Sequence, residues 1–368
     1  MTVIAVAGAL ASKPHNGGEA WVRLSWVLGL RRLGAEVWFV EEIEPATRTA
    51  EATEWFTGVL ERFGLRDRAT LVDSDGVSEE AEQALAEADL LLNISGNLRN
   101  LALLRLPRRR AYVDLDPGYT QCWHAAGALG PALDQHEELL TVGLRIGQAP
   151  CDLPTAGRRW CPIPPPVVLE EWPVTGSKPR DALTTVASWR GGYGRLELDG
   201  RLLGQKAHEF RRIADLPKRT DAELEVALAI DPADAADRLR LSESGWRLVD
   251  PRAVAGTPDR FRTYVQRSYG ELSPAQGVYV ETQCGWFSDR TTRYLASGRP
   301  AIVQDTSLPS DVPVGEGLLT FTSVDDALCA IDAVTADYDR HCRAARQLAE
   351  THFDSDRVLG YVLEALLP

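Results

Sequence analysis

The chain has 368 residues, more than one hydrophobic core usually serves, so its length predicts two domains. A composition of 44% hydrophobic residues with a formal net charge of −13 fits a globular chain and leaves no surplus of positive charge for nucleic-acid phosphates or anionic lipid, so neither is expected as a partner. No apolar run approaches the roughly 20 residues that span a bilayer, so no membrane span is expected.

The run VIAVAGALA has the length of a signal-peptide core, but no basic residue precedes it and a polar loop follows, so it reads as a first buried strand, Val3 to Gly8. A helix from about Gly18 to Leu33 follows, with Trp21, Leu24, Val27, Leu28 and Leu33 on one face and Gly34 placed to end it before the strand EVWFV. Strand patterns recur at ATLV, DLLLNIS, RAYVDLD and LLTVG, with helices at about 51–63 and 78–88 between them. Such alternation predicts a parallel sheet covered on both faces. The stretch from Pro150 to Lys178 holds seven prolines and marks the inter-domain connection. A second series then runs through LTTVASW, a helix near 205–215, LEVALAI, a helix near 232–241, WRLV, a helix near 258–268, GVYVET as a strand, a helix ending at Gly298, AIVQDT, LLTF and two or three closing helices. The expected boundaries are a first domain at 1–160, a linker at 161–182 and a second domain at 183–352. Six cysteines without CxxC or zinc-finger spacing read as reduced packing residues and point to the cytoplasm, although Cys151 and Cys161 flank a loop and are able to meet.

Four segments carry candidate chemistry. Gly17 and Gly18 open the first helix and either admit a ligand to the backbone or tighten the turn; His15 beside them is a candidate general base or a solvated loop residue. Asp114 and Asp116 end a strand where such folds place ligands, and either is able to take a proton from an acceptor hydroxyl. The DLD string also suits a metal, but DSD occurs at 73–75 and 354–356, so the pattern is unspecific and no metal is expected. In the loop RGGYGRLELDGRLLG, an Asp-Gly pair predicts a hairpin insertion, and Lys206 just beyond it is placed to meet a phosphate. Finally, Gly285, Trp286, Ser288, Asp289, Arg290 and Arg293 form a loop and helix start suited to an anion, either a diphosphate site or an ordinary capped turn. Trp21, Trp123, Trp189 and Trp286 either stack on a sugar or base or belong to the core.

GGEAWVRLSWVLGLRRLGAEV, GWFSDRTTRYLASGRPAIVQDT and GEGLLTFTSVDDALCAI resemble the nucleotide-sugar-dependent glycosyltransferases of the GT-B fold. The resemblance implies an α/β architecture of two Rossmann-like, doubly wound parallel-sheet domains facing across a cleft. The acceptor would sit on the first and the donor diphosphate on the second, near Gly285 to Arg290, with residues 353–368 returning to the first domain. It implies no cofactor beyond the nucleoside-diphosphate sugar (UDP-, dTDP- or GDP-linked) and a small-molecule or glycan acceptor. Two departures stand out. Retaining members carry two glutamates where this chain has Gly285 and Arg293, and the His-Gly-Gly of inverting natural-product members is missing, so stereochemistry stays open. A nucleotide-sugar epimerase or a non-catalytic nucleotide-sugar-binding partner protein are the alternatives of the same fold.

Overall fold

A computed structural model describes residues 1–73, 78–129, 132–176 and 179–367. Residues 74 and 75 of the DSD string, and 177 and 178 of the expected linker, lie outside the described residues. The first domain is a seven-stranded parallel sheet in the order β3-β2-β1-β4-β5-β6-β7. Its strands are β1 Val3–Ala7, β2 Glu36–Ile43, β3 Ala69–Asp73, β4 Leu90–Ile94, β5 Arg109–Asp114, β6 Glu138–Thr141 and β7 Cys161–Pro162. The second domain carries β8 Ala182–Ser188, β11 Glu223–Ala229, β12 Arg247–Val249, β13 Gly270–Ser273, β14 Ala301–Gln304 and β15 Leu318–Phe321, all parallel, in the order β12-β11-β8-β13-β14-β15. Between β8 and β11 stands a separate antiparallel hairpin, β9 Leu196–Leu198 and β10 Arg201–Leu203. In each large sheet the order reverses beside the first strand, and the carboxyl ends there open onto a cleft. The near-continuous aliphatic runs suit sheets covered on both faces; every residue of β4 is buried.

The helix Gly17–Arg32 starts where the Asn16 side chain accepts a hydrogen bond from the Glu19 amide and stops before Gly34, which takes φ 83°. It is buried on more than one face because it packs on β2 and on two further parts of the chain. Trp21 donates from Nε1 to the Pro258 carbonyl at 2.8 Å, and the terminal helix Ser355–Leu366 packs along its other end. A Cβ on Gly17 would stand 2.2 Å from the Thr257 carbonyl oxygen, and one on Gly29 would stand 2.6 Å from Leu359. The Gly17-Gly18 pair, expected to admit a ligand, instead admits the second domain: Gly18 faces the Phe261 ring.

GVYVET is a second correction. Residues Gly277–Glu281 form a short helix, and the strand lies earlier, at Gly270–Ser273. Pro274 ends that strand by removing a ladder donor, while Gly277 lets the new helix rest on the Gly204 backbone, where an added Cβ would lie 2.6 Å from Cα. Short apolar runs satisfy strand and helix patterns alike.

Candidate functional site

A cleft of about 300 Å³ separates the carboxyl ends of the two sheets. The first domain lines it with Lys13, Glu19, Arg23 and Asp116, and the second with Tyr193, Lys206, Tyr279, Trp286, Asp289 and Arg293.

The two aspartates after β5 have separate jobs. Asp114 is fully buried and accepts hydrogen bonds from the Thr120 hydroxyl (2.7 Å), the Gln121 amide (2.8 Å), the Thr141 hydroxyl (2.8 Å) and the Asp116 backbone N–H (3.0 Å). Burial pushes its pKa up while these donors oppose the shift. Its lone pairs are occupied by protein, so it serves as a strut for the following loop rather than as a base. That loop carries Asp116 into the cleft, where Tyr193 Oη donates to Oδ2 at 3.2 Å and Tyr279 Oη to Oδ1 at 3.5 Å. Burial, then the charges of Asp114 and Glu19, push the Asp116 carboxyl up to about 6. A carboxylate poised there suits proton removal near neutral pH.

His15 does not join it. Its Nε2 lies 2.8 Å from Glu51 on the exposed outer side of the loop, and its ring leans on Trp55. The side chain that does reach the cleft from this loop is Lys13, paired with Glu19 at 3.3 Å. Glu19 also pairs with Arg23; although burial works in the opposite direction, the two cations hold its carboxyl at about 2.

On the other wall, Lys206 is 8% exposed, and no acid stands at ion-pair distance from its ammonium among the described residues. Burial, then the nearby Arg290, bring its pKa down to about 7. Ser288 caps the helix Asp289–Ala296 by accepting from the Arg290 amide at 3.2 Å. The side chain of Arg290, expected to meet a diphosphate, turns away: it donates to Glu271 (2.6 Å), the Val186 carbonyl (2.9 Å) and the Ser273 hydroxyl (2.5 Å), tying together the ends of β8 and β13. Arg293 lines the cleft but is fully buried and paired with Asp289, its guanidinium 5.9 Å from the Trp172 ring. Gly285, expected at the anion loop, takes φ 68° and packs on Arg145, in a bridge that joins Gly143 to Trp286 across the domains. Its missing side chain thus serves domain contact. Trp286 does face the cleft, stacked on Tyr279 at 4.5 Å.

Sequence reasoning missed Tyr193, Tyr279, Lys13, Glu19 and Arg23. Glu19 and Arg23 carried a signal, an acid and a base one helical turn apart at the helix start; Tyr193 stood among the glycines of the hairpin loop. Among the described residues no group of three or more His, Cys, Asp or Glu side chains is arranged to hold a metal, and all six cysteines are unpaired. No described helix is long and apolar enough to cross a membrane.

No protein-family model matches the sequence, and no curated protein matches it significantly. Solved structures do. An alpha-glucosyltransferase in complex with UDP superposes with a TM-score of 0.63 at 11% identity over 100% of both chains. The Anabaena HepE protein in complex with UDP and glucose gives 0.60 at 11% identity, over 100% of this chain and 99% of that one. The chain has the GT-B fold. Its two Rossmann-like domains face each other across the cleft described above, as in those structures.

The exclusion of nucleic acid as a partner needs correction. An alpha-glucosyltransferase bound to UDP and a 13-mer DNA matches with a TM-score of 0.58 at 11% identity, over 100% of this chain and 99% of that one, and two further complexes of that kind match as well. The exclusion rested on a charge sum over the whole molecule. Beyond a Debye length of about 8–10 Å surface charges are screened, so the sum does not decide what a local GT-B groove receives.

Proposed function

We propose that the chain is a metal-independent glycosyltransferase that moves a sugar from a nucleoside-diphosphate sugar to a hydroxyl acceptor. The observation that carries the reading is a near-neutral carboxylate, Asp116, and an unpaired buried ammonium, Lys206, on opposite domains of one cleft. Asp116 takes the acceptor's proton while the acceptor oxygen bonds to the anomeric carbon. The bond from that carbon to the phosphate oxygen breaks, and the diphosphate leaves with the electron pair. Lys206 and the N-terminal end of the Ser288-capped helix stabilise the departing charge. UDP is the first nucleotide to test, because several structures of similar fold were solved with it.

The test is a panel of UDP-, dTDP- and GDP-sugars, with nucleotide release as readout. Asp116→Asn is expected to lower turnover by about 10²–10⁴-fold, the usual worth of a general base, with nucleotide affinity retained. Unchanged turnover removes Asp116 from the reaction.

A further inference from the structure

Both carboxylate oxygens of Asp116 are occupied by phenols of the protein itself. Each oxygen keeps a second lone pair, so an acceptor hydroxyl competes with these phenols for the space beside Asp116 rather than for its last acceptor site. Tyr279 is fixed: it is 2% exposed, lies on the helix Gly277–Glu281 and is stacked on Trp286. Tyr193 also packs on rings but has no helix beneath it. It sits between Gly192 and Gly194, two glycines with open space where a side chain would go, at the root of the β9–β10 hairpin.

That hairpin is a strap from the second domain to the first. Asp199 and Gly200 turn it with φ of 49° and 74°, the positive pair that tight two-residue hairpins use. Leu196, Leu198 and Leu203 are buried in one apolar cluster with Tyr119, Cys122 and Leu153 of the first domain, and Arg201 pairs with Asp152. The Tyr193 ring is held in a slot, its centre 4.9 Å from Tyr119 and 4.9 Å from Trp123, the latter edge-on at 85°. At the end of the slot stands the carboxylate.

We infer that this slot is the acceptor subsite, that it takes a hydroxyl borne on an aromatic ring, and that Tyr193 holds the seat of the acceptor until the strap yields. The inference rests on the reading of Asp116 as general base. Ring centroids at 4.9 Å, one neighbour tilted and the other edge-on, are an arrangement that the quadrupoles of aromatic rings favour and that a saturated ring, lacking one, gains less from. The chemistry agrees with the shape, since a phenol ionises near 10, well below an aliphatic alcohol, and gives up its proton to a carboxylate more readily.

Titration of phenol into the UDP-saturated protein tests this. A competing side chain lowers apparent affinity by the fraction of time it holds the seat. Tyr193→Ala is therefore expected to bind phenol about tenfold or more tightly than the unsubstituted protein, whereas Tyr193→Phe, which keeps the ring, gains nothing comparable. Cyclohexanol, of similar size without the aromatic face, is expected to gain little in Tyr193→Ala. Equal gains for phenol and cyclohexanol, or no gain for either, overturn the proposal. Arg201→Ala keeps Tyr193 and loosens the strap; it is expected to raise phenol affinity too, and decides the matter if Tyr193→Ala does not fold. UDP affinity is the separate control: if no nucleotide binds, the donor reading fails, whereas UDP binding without phenol selectivity sinks the acceptor inference alone.

Discussion

Replacing Asp114 by Asn separates a strut from a base. Oδ1 of Asp114 accepts from the Asp116 amide and Thr120; Oδ2 accepts from Gln121 and Thr141. Whichever way the Asn amide turns, its NH2 meets two donors. In each pair one donor is a threonine hydroxyl that is able to rotate and accept, but the other is an N–H that cannot. One buried N–H is left without an acceptor, at about 1–3 kcal/mol, and charge-assisted bonds worth about 1.5–3 kcal/mol each become neutral ones. Removing a buried charge returns part of this, because burial already disfavours the ionised form. The net expectation is a loss of about 2 kcal/mol, read from urea unfolding followed by tryptophan fluorescence. If Asp116 is the base proposed above, the pH profile of turnover should keep its acid limb near neutral pH. Stability equal to the unsubstituted protein, combined with loss of that limb, would refute the division of labour between the two aspartates.

Three further outcomes follow from the same geometry. Lys206 titrates near 7, so it is charged below that pH and neutral above it; UDP should bind more weakly at pH 8 than at pH 6, with proton uptake visible by calorimetry in buffers of different ionisation heat, and Lys206→Met should flatten the dependence. Gly17→Ala would bring a Cβ to 2.2 Å from the Thr257 carbonyl oxygen and should cost about 1–3 kcal/mol of stability, measured by thermal melting; an unchanged melting temperature would mean the inter-domain contact is loose. Turnover should survive EDTA treatment, and loss of activity restored by a divalent ion would assign the leaving-group charge to a metal.

Much of the fold was legible in the sequence because parallel sheets demand buried aliphatic runs and helices demand caps, both local requirements. The hairpin was legible for the same reason, through Asp199-Gly200. Asp116 and Lys206 could be named because each follows an element whose end must face the cleft. The glycines were misread for a physical reason: a glycine reports that something comes close, and Thr257 behind Gly17 or Arg145 behind Gly285 is visible only in three dimensions. Arg290 shows the parallel limit for cations. Its acceptors on β8 and β13 lie 17 to 104 residues away in the chain, and no local pattern reveals that they already occupy the guanidinium.

The helix Gly17–Arg32 is gripped at two glycines, by the Thr257 turn at one tip and by Ser355 and Leu359 near the other. At 1.5 Å per residue these grips stand about 18 Å apart. Thr257, Ser355 and Leu359 already fill these notches, so moving either partner along the helix or around it would carry it off its glycine and onto neighbouring side chains. The helix therefore behaves as a keyed pin, its two notches locking it against the Thr257 turn and the terminal helix in translation and in rotation alike.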